Sequence, residues 1–426
     1  MENSLLKRIR RHVSGRVQDF FAVTSLGFEQ ICFDELMSLP LSLESAMMVT
    51  GGVEFKARLQ DCYLANLNLR TATRILMRIA TFKASNFNQL EKKLGDIHWE
   101  LFLSPAHLTH ISVTSRHSRL FHKEAIAGRF QASIAERLAV SFRNSPLEGG
   151  AGGCFSGAEM SLSEADIPPA PLQRGNQPNS PLEGGAGGCF VRVSDDRFTV
   201  SIDSSGEMLY KRGIKKQGGS APLRETIAAA ALKLAGYDAE APLIDPMCGS
   251  GTFSLEAAMT AKHIPPGWLR EFAFMGWPSF MPNRWAYLKR EAEKSFIQLD
   301  KPLIFASDKD EAVCHALENQ VGACGFSDAI QIDCKDFFAF PPSRITAQTG
   351  LVMLNPPYGL RIGTLTESEK LFHEIIRKLK KDYKGWKVGM ITPNRELVSI
   401  IPFPMRQHFF YHGGLKMTLL AGSIAP

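Results

Sequence analysis

Apolar and polar residues follow one another in short blocks along the first half of the chain, and the period changes from block to block. Residues 20–26 are a short apolar run that predicts a strand. Residues 29–37 carry apolar side chains at helical spacing, and Gly51 and Gly52 predict a turn into a strand at 53–55. A long helix-like pattern covers residues 61–78. A strand is expected at 111–114, an amphipathic helix at 123–140, a strand at 198–202 and an alanine-rich helix at 222–234. Pro222 suits the first turn of that helix, where a missing N–H costs nothing. Such alternation reads as small α+β units.

From about residue 240 the strands become apolar throughout. They are expected at 243–244, 303–306, 329–332, 351–354, 386–391 and 415–420, with a helix at 253–261 after the first. Strands of this type separated by helices predict a mostly parallel, doubly wound sheet, the Rossmann-like α/β class, behind the α+β region. In such sheets ligands bind outside the carboxyl ends of the strands, where Asp308, Asp333, Asp336 and Asn355 fall.

One segment has neither period. The string NSPLEGGAGGCF stands at residues 144–155 and again at 179–190, with Ser, Ala, Pro and Gly between. Two copies rich in glycine cannot stack into a solenoid. Residues 144–189 therefore read as a flexible surface insertion. Cys154 and Cys189 resemble paired metal ligands only because the string is repeated.

Composition narrows the class. With 44% hydrophobic and 22% charged residues the chain is of ordinary globular type, and no apolar run approaches the ~20 residues of a membrane span. Residues 1–16 are basic without the apolar stretch of a secretion signal. The eight cysteines include no Cys-x-x-Cys pair, which argues against a zinc site or disulfide framework and for a reducing cytoplasm. The net charge of +6 is uneven, because residues 144–189 carry −4. The remainder is basic enough to suit a polyanion.

Two motifs carry chemistry. The first is Asp245-Pro246-Met247-Cys248-Gly249-Ser250-Gly251-Thr252-Phe253, between strand and helix. Its glycines let backbone approach a ligand, and the helix N-terminus behind them offers unpaired N–H groups. It lacks the lysine of a P-loop and the third glycine of the dinucleotide fingerprint. The second is Asn355-Pro356-Pro357-Tyr358, directly after a strand. Two prolines stiffen the turn and present acceptors. Acceptors pulling on the hydrogens of an aromatic amine would localise its lone pair for attack, and Tyr358 could stack on the base.

Together these motifs resemble class I S-adenosylmethionine-dependent methyltransferases that act on amino groups. Further stretches are similar to one bacterial group. Residues 20–55 resemble its ferredoxin-like domain, residues 66–78 and 82–102 the start of its THUMP RNA-binding domain, residues 204–213 the exit from that domain, and residues 221–226 the helix before the catalytic sheet. The group is the THUMP-bearing guanine-N2 methyltransferases of large-subunit ribosomal RNA, often labelled adenine-N6 DNA methylases. The resemblance implies a basic tail at 1–16, a ferredoxin-like domain at 17–65, a THUMP domain at 66–205 interrupted at 144–189, and a methyltransferase domain at 206–426.

It also implies S-adenosylmethionine as cofactor and RNA, above all 23S rRNA, as partner. Asp245, Gly249 and Gly251 would line the methionine end, and Pro246, Cys248, Ser250 and Thr252 would also bind the cofactor. Asp308 would bind the ribose, with Asp310 as rival, and Asp336 the adenine amine, with Asp333 as rival. Asn355, Pro356, Pro357 and Tyr358 would hold the target base. An extra helical stretch at 265–285 would lengthen the path from the glycine loop to Asp308. Arg116, Arg119, Lys123 and Arg129, with His117 and His122, would face RNA. Two other readings stay open here: an adenine-N6 DNA methyltransferase, and an RNA-binding protein without turnover.

Overall fold

A computed structural model describes residues 4–105, 110–143, 188–214, 223–357, 365–393 and 396–426. Two seven-stranded sheets organise them.

The first sheet is built from β1 (Gln18–Thr24), β2 (Ser45–Val49), β3 (Gly52–Ala57), β4 (Ala72–Lys83), β5 (His110–Arg116), β6 (Gly188–Ser194) and β7 (Arg197–Asp203). Its order is β2-β3-β1-β4-β7-β6-β5. Only β5 and β6 pair in parallel, and the crossover between them includes helix α5 (Lys123–Arg143). The sheet's other helices are α1 (Ser4–Ile9), α2 (Glu29–Ser38), α3 (Leu59–Asn68) and α4 (Phe87–Gly95).

Three expectations change. The helix-like pattern over 61–78 divides into the end of α3 and the start of β4. Ala72 to Met77 are all buried, so β4 shows no alternation and reads as a helix face. Strand β4 pairs with β1 on one side and β7 on the other, so the regions expected as separate domains share one sheet. Of the expected tail at 1–16, the described residues from Ser4 on form a helix and a following turn, because Ile9 and Val13 enter the core and Arg8 pairs with buried Glu100 at 2.7 Å.

The insertion is also shorter than expected. Residues 144–187 lie outside the described residues, but Gly188-Cys189-Phe190, the end of the second repeat, begins β6. Cys189 is buried opposite Ile202, which leaves no role for it as a metal ligand. Replacing 144–187 with a linker of about six residues should shift the melting temperature by only a few degrees, because loop length costs ~0.6 kcal/mol per doubling. A replacement extended through Cys189 removes a core side chain and should melt clearly lower in calorimetry. Equal melting of the two variants would show that β6 does not depend on the repeat's end.

The second sheet comprises β8 (Leu243–Asp245), β9 (Ile304–Asp308), β10 (Ile330–Cys334), β11 (Leu351–Leu354), β12 (Lys387–Thr392), β13 (Met405–His412) and β14 (Leu415–Ser423). Its order is β10-β9-β8-β11-β12-β14-β13. The pairs from β10 to β12 are parallel, and β14 runs antiparallel between β12 and β13. Helices α6 (Glu225–Leu234), α7 (Thr252–Ala261) and α9 (Glu311–Cys324) cover one face, and α10 (Leu365–Asp382) the other. Consecutive residues of β11 enter opposite cores: Leu351 and Met353 one, Val352 and Leu354 the other. This two-sided burial is why the strands read as unbroken apolar runs. Among the described residues no helix is long and apolar enough to cross a membrane.

The stretch at 265–285 is not the helix expected. A short 3-10 turn at Ala273–Gly276 precedes α8 (Pro282–Glu293). Phe272, Phe274 and Trp277 join the core of the first sheet, and Phe274 stacks on Tyr63 at 4.3 Å. The two units meet elsewhere too. Phe28 stacks on Phe410 at 5.1 Å. Buried Glu256 on α7 accepts from Arg212 Nε at 2.8 Å and lies 3.6 Å from Arg70 Nη1. Arg70 Nη2 donates to the Ile264 carbonyl at 2.7 Å.

Candidate active site

The chain leaves β8 outward to β9 and β10, then returns to β11 on the other side of β8. The reversal opens a crevice at the carboxyl ends of β8 and β11, the usual ligand position in such sheets. Asp245 ends β8 and Asn355 follows β11, so the two motifs, far apart in sequence, meet across this crevice.

The loop after β8 is held by its backbone. Cys248 N donates to the Ser307 carbonyl at 3.0 Å and Gly251 N to the Cys248 carbonyl at 2.8 Å. Gly249 and Gly251 both have positive φ, +51° and +67°, a region L side chains rarely occupy. Their surroundings differ. A Cβ at Gly249 would meet nothing within 4 Å, whereas one at Gly251 would lie 2.3 Å from Leu317 Cδ1. Gly249 is thus open to a ligand, and Gly251 is small so that α7 can pack on α9.

A cavity of about 350 Å³ occupies the crevice, within the usual range of small-molecule sites. Asp245, Pro246, Cys248, Gly249, Ser250 and Thr252 form one wall, Asp308 and Asp336 stand at the ends of β9 and β10, and Asn355 and Pro357 close the β11 side. Gly251 and Pro356 are not on the wall, the Pro356 ring being buried. Tyr358 lies outside the described residues. Sequence reasoning missed Leu223, Met247, Phe253, Lys309 and Phe337, which also line the cavity. Met247, Phe253, Lys309 and Phe337 each stand next to a chosen residue in sequence, and that adjacency was the available signal.

The rival acids separate. Asp310 caps α9, accepting from Ala312 N at 2.9 Å. Asp308 accepts from Gly249 N at 3.0 Å and Asp310 N at 3.2 Å, which orients its carboxylate at the cavity while leaving lone pairs for further donors. Asp336 accepts from Phe338 N at 2.9 Å and reaches the cavity. Asp333 pairs with Lys335 at 3.2 Å and does not.

Two groups at this site are unusual. Asn355 Oδ1 is buried and has no hydrogen-bond partner among the described residues, a costly state for an amide oxygen. Asp245 is buried and accepts from the Ser254 hydroxyl at 2.7 Å. Burial, with a smaller push from Asp308, raises its pKa from 3.8 to about 7. Since the unfolded chain releases this proton near 3.8, stability should fall as pH rises from about 4 to about 7 and then level. Asp245→Asn should flatten that part of the urea-denaturation profile, and an unchanged profile would place the titration elsewhere. A positively charged ligand favours the ionised carboxylate, so its binding should strengthen through the same window. Burial also holds the Cys248 thiol far above its ordinary range, which keeps it protonated and unsuited to attack.

None of the basic residues singled out from the sequence lines the cavity. Arg116 ends β5, Arg119 follows it, and Lys123 and Arg129 belong to α5. Arg119 lies 3.7 Å from Asp196, and Arg129 lies 3.0 Å from Glu91 while covering the Phe87 ring.

The comparisons with known proteins agree with this geometry. Residues 212–417 match the model described as RMKL-like, methyltransferase domain, and residues 19–76 match the RlmL ferredoxin-like domain. A Synechocystis protein named as an RNA methyltransferase is 29% identical over 96% of this chain and 97% of its own length. The ribosomal RNA large subunit methyltransferase K/L of Syntrophotalea carbinolica is 30% identical over 95% of this chain but 53% of its own. The chain thus spans about half the length of the K/L relatives it matches. A solved methyltransferase structure complexed with S-adenosylhomocysteine superposes with a TM-score of 0.77 at 25% identity, covering 96% of this chain and 99% of that one. The chain thus carries an RMKL-like methyltransferase domain at 212–417 and an RlmL ferredoxin-like domain at 19–76.

Proposed function

We propose that the protein transfers a methyl group from S-adenosylmethionine to an exocyclic amine of a base in RNA, with guanine N2 of 23S rRNA as the target. The observation that carries this reading is the orphaned Asn355 Oδ1 in the same cavity as the Asp245 and Asp308 carboxylates. Buried acceptors persist unpaired where a ligand supplies the donor, and an amine on an aromatic ring is such a donor.

The residues present fit the cofactor. Open space beside Gly249 admits a ligand against backbone, Asp245 matches an ammonium, Asp308 two ribose hydroxyls, and Asp336 an adenine amine. When bound, S-adenosylmethionine supplies a methyl group on a positively charged sulfur, already electrophilic. The protein contributes position and acceptors. Asn355 draws on the amine hydrogens and orients the lone pair. Tyr358 is assigned to stacking on the base, which must be unpaired or flipped to reach the cavity. Residues 66–205, apart from the insertion, are assigned as the THUMP unit. A ribosomal RNA substrate places the protein in the cytoplasm. The names of the RNA-modifying relatives support the RNA side of this reading.

Incubation with methyl-labelled S-adenosylmethionine and either ribosomal RNA or duplex DNA, followed by nucleoside separation, tests the reading. Label in N2-methylguanosine is expected. Label only in N6-methyladenine of DNA would establish the adenine reading instead, and no label in either would reject amine methylation. Asp308→Ala should weaken S-adenosylmethionine binding by roughly 1.5–3 kcal/mol, the contribution of a hydrogen bond to a charged group. Unchanged affinity in titration calorimetry would remove Asp308 from the ribose site.

A further inference from the structure

The cations at the end of β5 are partly neutralised by Asp196 and Glu91. The N-terminal segment is different. Leu5, Ile9 and Val13, four residues apart, turn toward the core of the first sheet. Gln18 Nε2 donates to the carbonyls of His12 and Val13, both at 3.0 Å, and closes the turn after α1. Arg8 and Arg137 of α5 both hold Glu100, at 2.7 and 2.9 Å. The segment is therefore fixed on the fold by apolar and ionic contacts.

Lys7, Arg11, His12 and Arg16 remain on its outer side. All four are exposed, and none makes an ion pair among the described residues. Desolvation, followed by the positive charges of Arg16, Arg11 and Arg8 and by His98, holds the His12 pKa below its ordinary value. The face concentrates positive charge on an immobilised backbone, so little side-chain ordering beyond the long basic stems accompanies binding.

We propose that Lys7, Arg11, His12 and Arg16 form a phosphate-contacting arm of the RNA-binding surface. This rests on the RNA reading of the function. An amphipathic basic helix can also lie on an anionic membrane, but it does so by burying its apolar face in lipid. Here the row Leu5, Ile9 and Val13 of that face is turned into the protein core, and the outer side carries Lys7, Arg11, His12 and Arg16 around two separate exposed apolar side chains, Leu6 and Val17. Contacts of this kind position a nucleic acid without reading its sequence.

The triple variant Lys7→Gln/Arg11→Gln/Arg16→Gln tests the proposal in the full chain, with Arg8 and the core anchors untouched. Affinity for large-subunit ribosomal RNA at low salt should fall ~10-fold or more. The slope of log affinity against log salt should lose about 2–3, at ~0.7 per contact on single strands and ~0.9 on duplex. KM for RNA should rise while kcat at saturating RNA and S-adenosylmethionine affinity stay at wild-type values, which also reports an intact fold. Unchanged RNA affinity and salt slope would overturn the proposal. So would loss of binding to phosphatidylserine-containing vesicles with RNA binding unchanged. A wild-type protein that binds no RNA overturns both this proposal and the RNA reading, whereas wild-type binding matched by the variant overturns the arm alone.

Discussion

Asn355→Ala is expected to leave S-adenosylmethionine affinity nearly unchanged and to lower turnover by ~10²-fold or more. The asymmetry follows from position. The proposed cofactor acceptors Asp245 and Asp308 sit on β8 and β9, whereas Asn355 follows β11 on the far side of the crevice. Its oxygen has no partner among the described residues, so removing it breaks no hydrogen bond among them. The lost interaction belongs to the reacting amine, whose lone pair is freed as its hydrogens are drawn toward an acceptor. Single-turnover measurements at saturating cofactor isolate this step. A variant that methylates ribosomal RNA at the wild-type rate would make the Asn-Pro-Pro-Tyr segment an ordinary turn and point to methylation of another atom.

The largest loss of stability is expected at Glu256, remote from the chemistry. Glu256→Ala leaves Arg212 buried and Arg70 half-buried without their carboxylate, and breaking one partner of such a group costs about 3–5 kcal/mol. That is a large share of the ~5–15 kcal/mol typical of a domain. Denaturation in urea should show it directly. Replacing Glu256 and Arg212 together by Leu and Met should recover part of the loss, because an apolar pair of similar volume removes the more deeply buried stranded charge, while Arg70 stays without its carboxylate. A loss under ~1 kcal/mol in the single variant would mean that solvent reaches these arginines and that the units are held by aromatic packing instead.

The catalytic half was legible because its signals are local. A buried three-residue strand, a glycine turn and a helix follow in one stretch at Leu243–Ala261, and the acids fall where strands end. The N-terminal half was harder for a physical reason. Strand β4 is central in its sheet and buried along its first half, so Ala72–Met77 carry no period of two. The basic residues 7–16 obscured the apolar row Leu5, Ile9 and Val13 that makes the segment part of the fold. The roles of Gly249 and Gly251 could not be divided from sequence, since only the position of Leu317 distinguishes an open glycine from a packed one. Choosing between Asp308 and Asp310 likewise required knowing which of them begins α9.

The second repeat runs into β6, and this has a genetic consequence. Two identical strings of twelve residues stand 35 residues apart. Recombination between the coding copies removes or adds a unit of 35 residues in frame and regenerates the same junction, Gly188-Cys189-Phe190-Val191, every time. Natural variants of this protein should therefore differ in length by steps of one such unit, all with the strand beyond it unaltered.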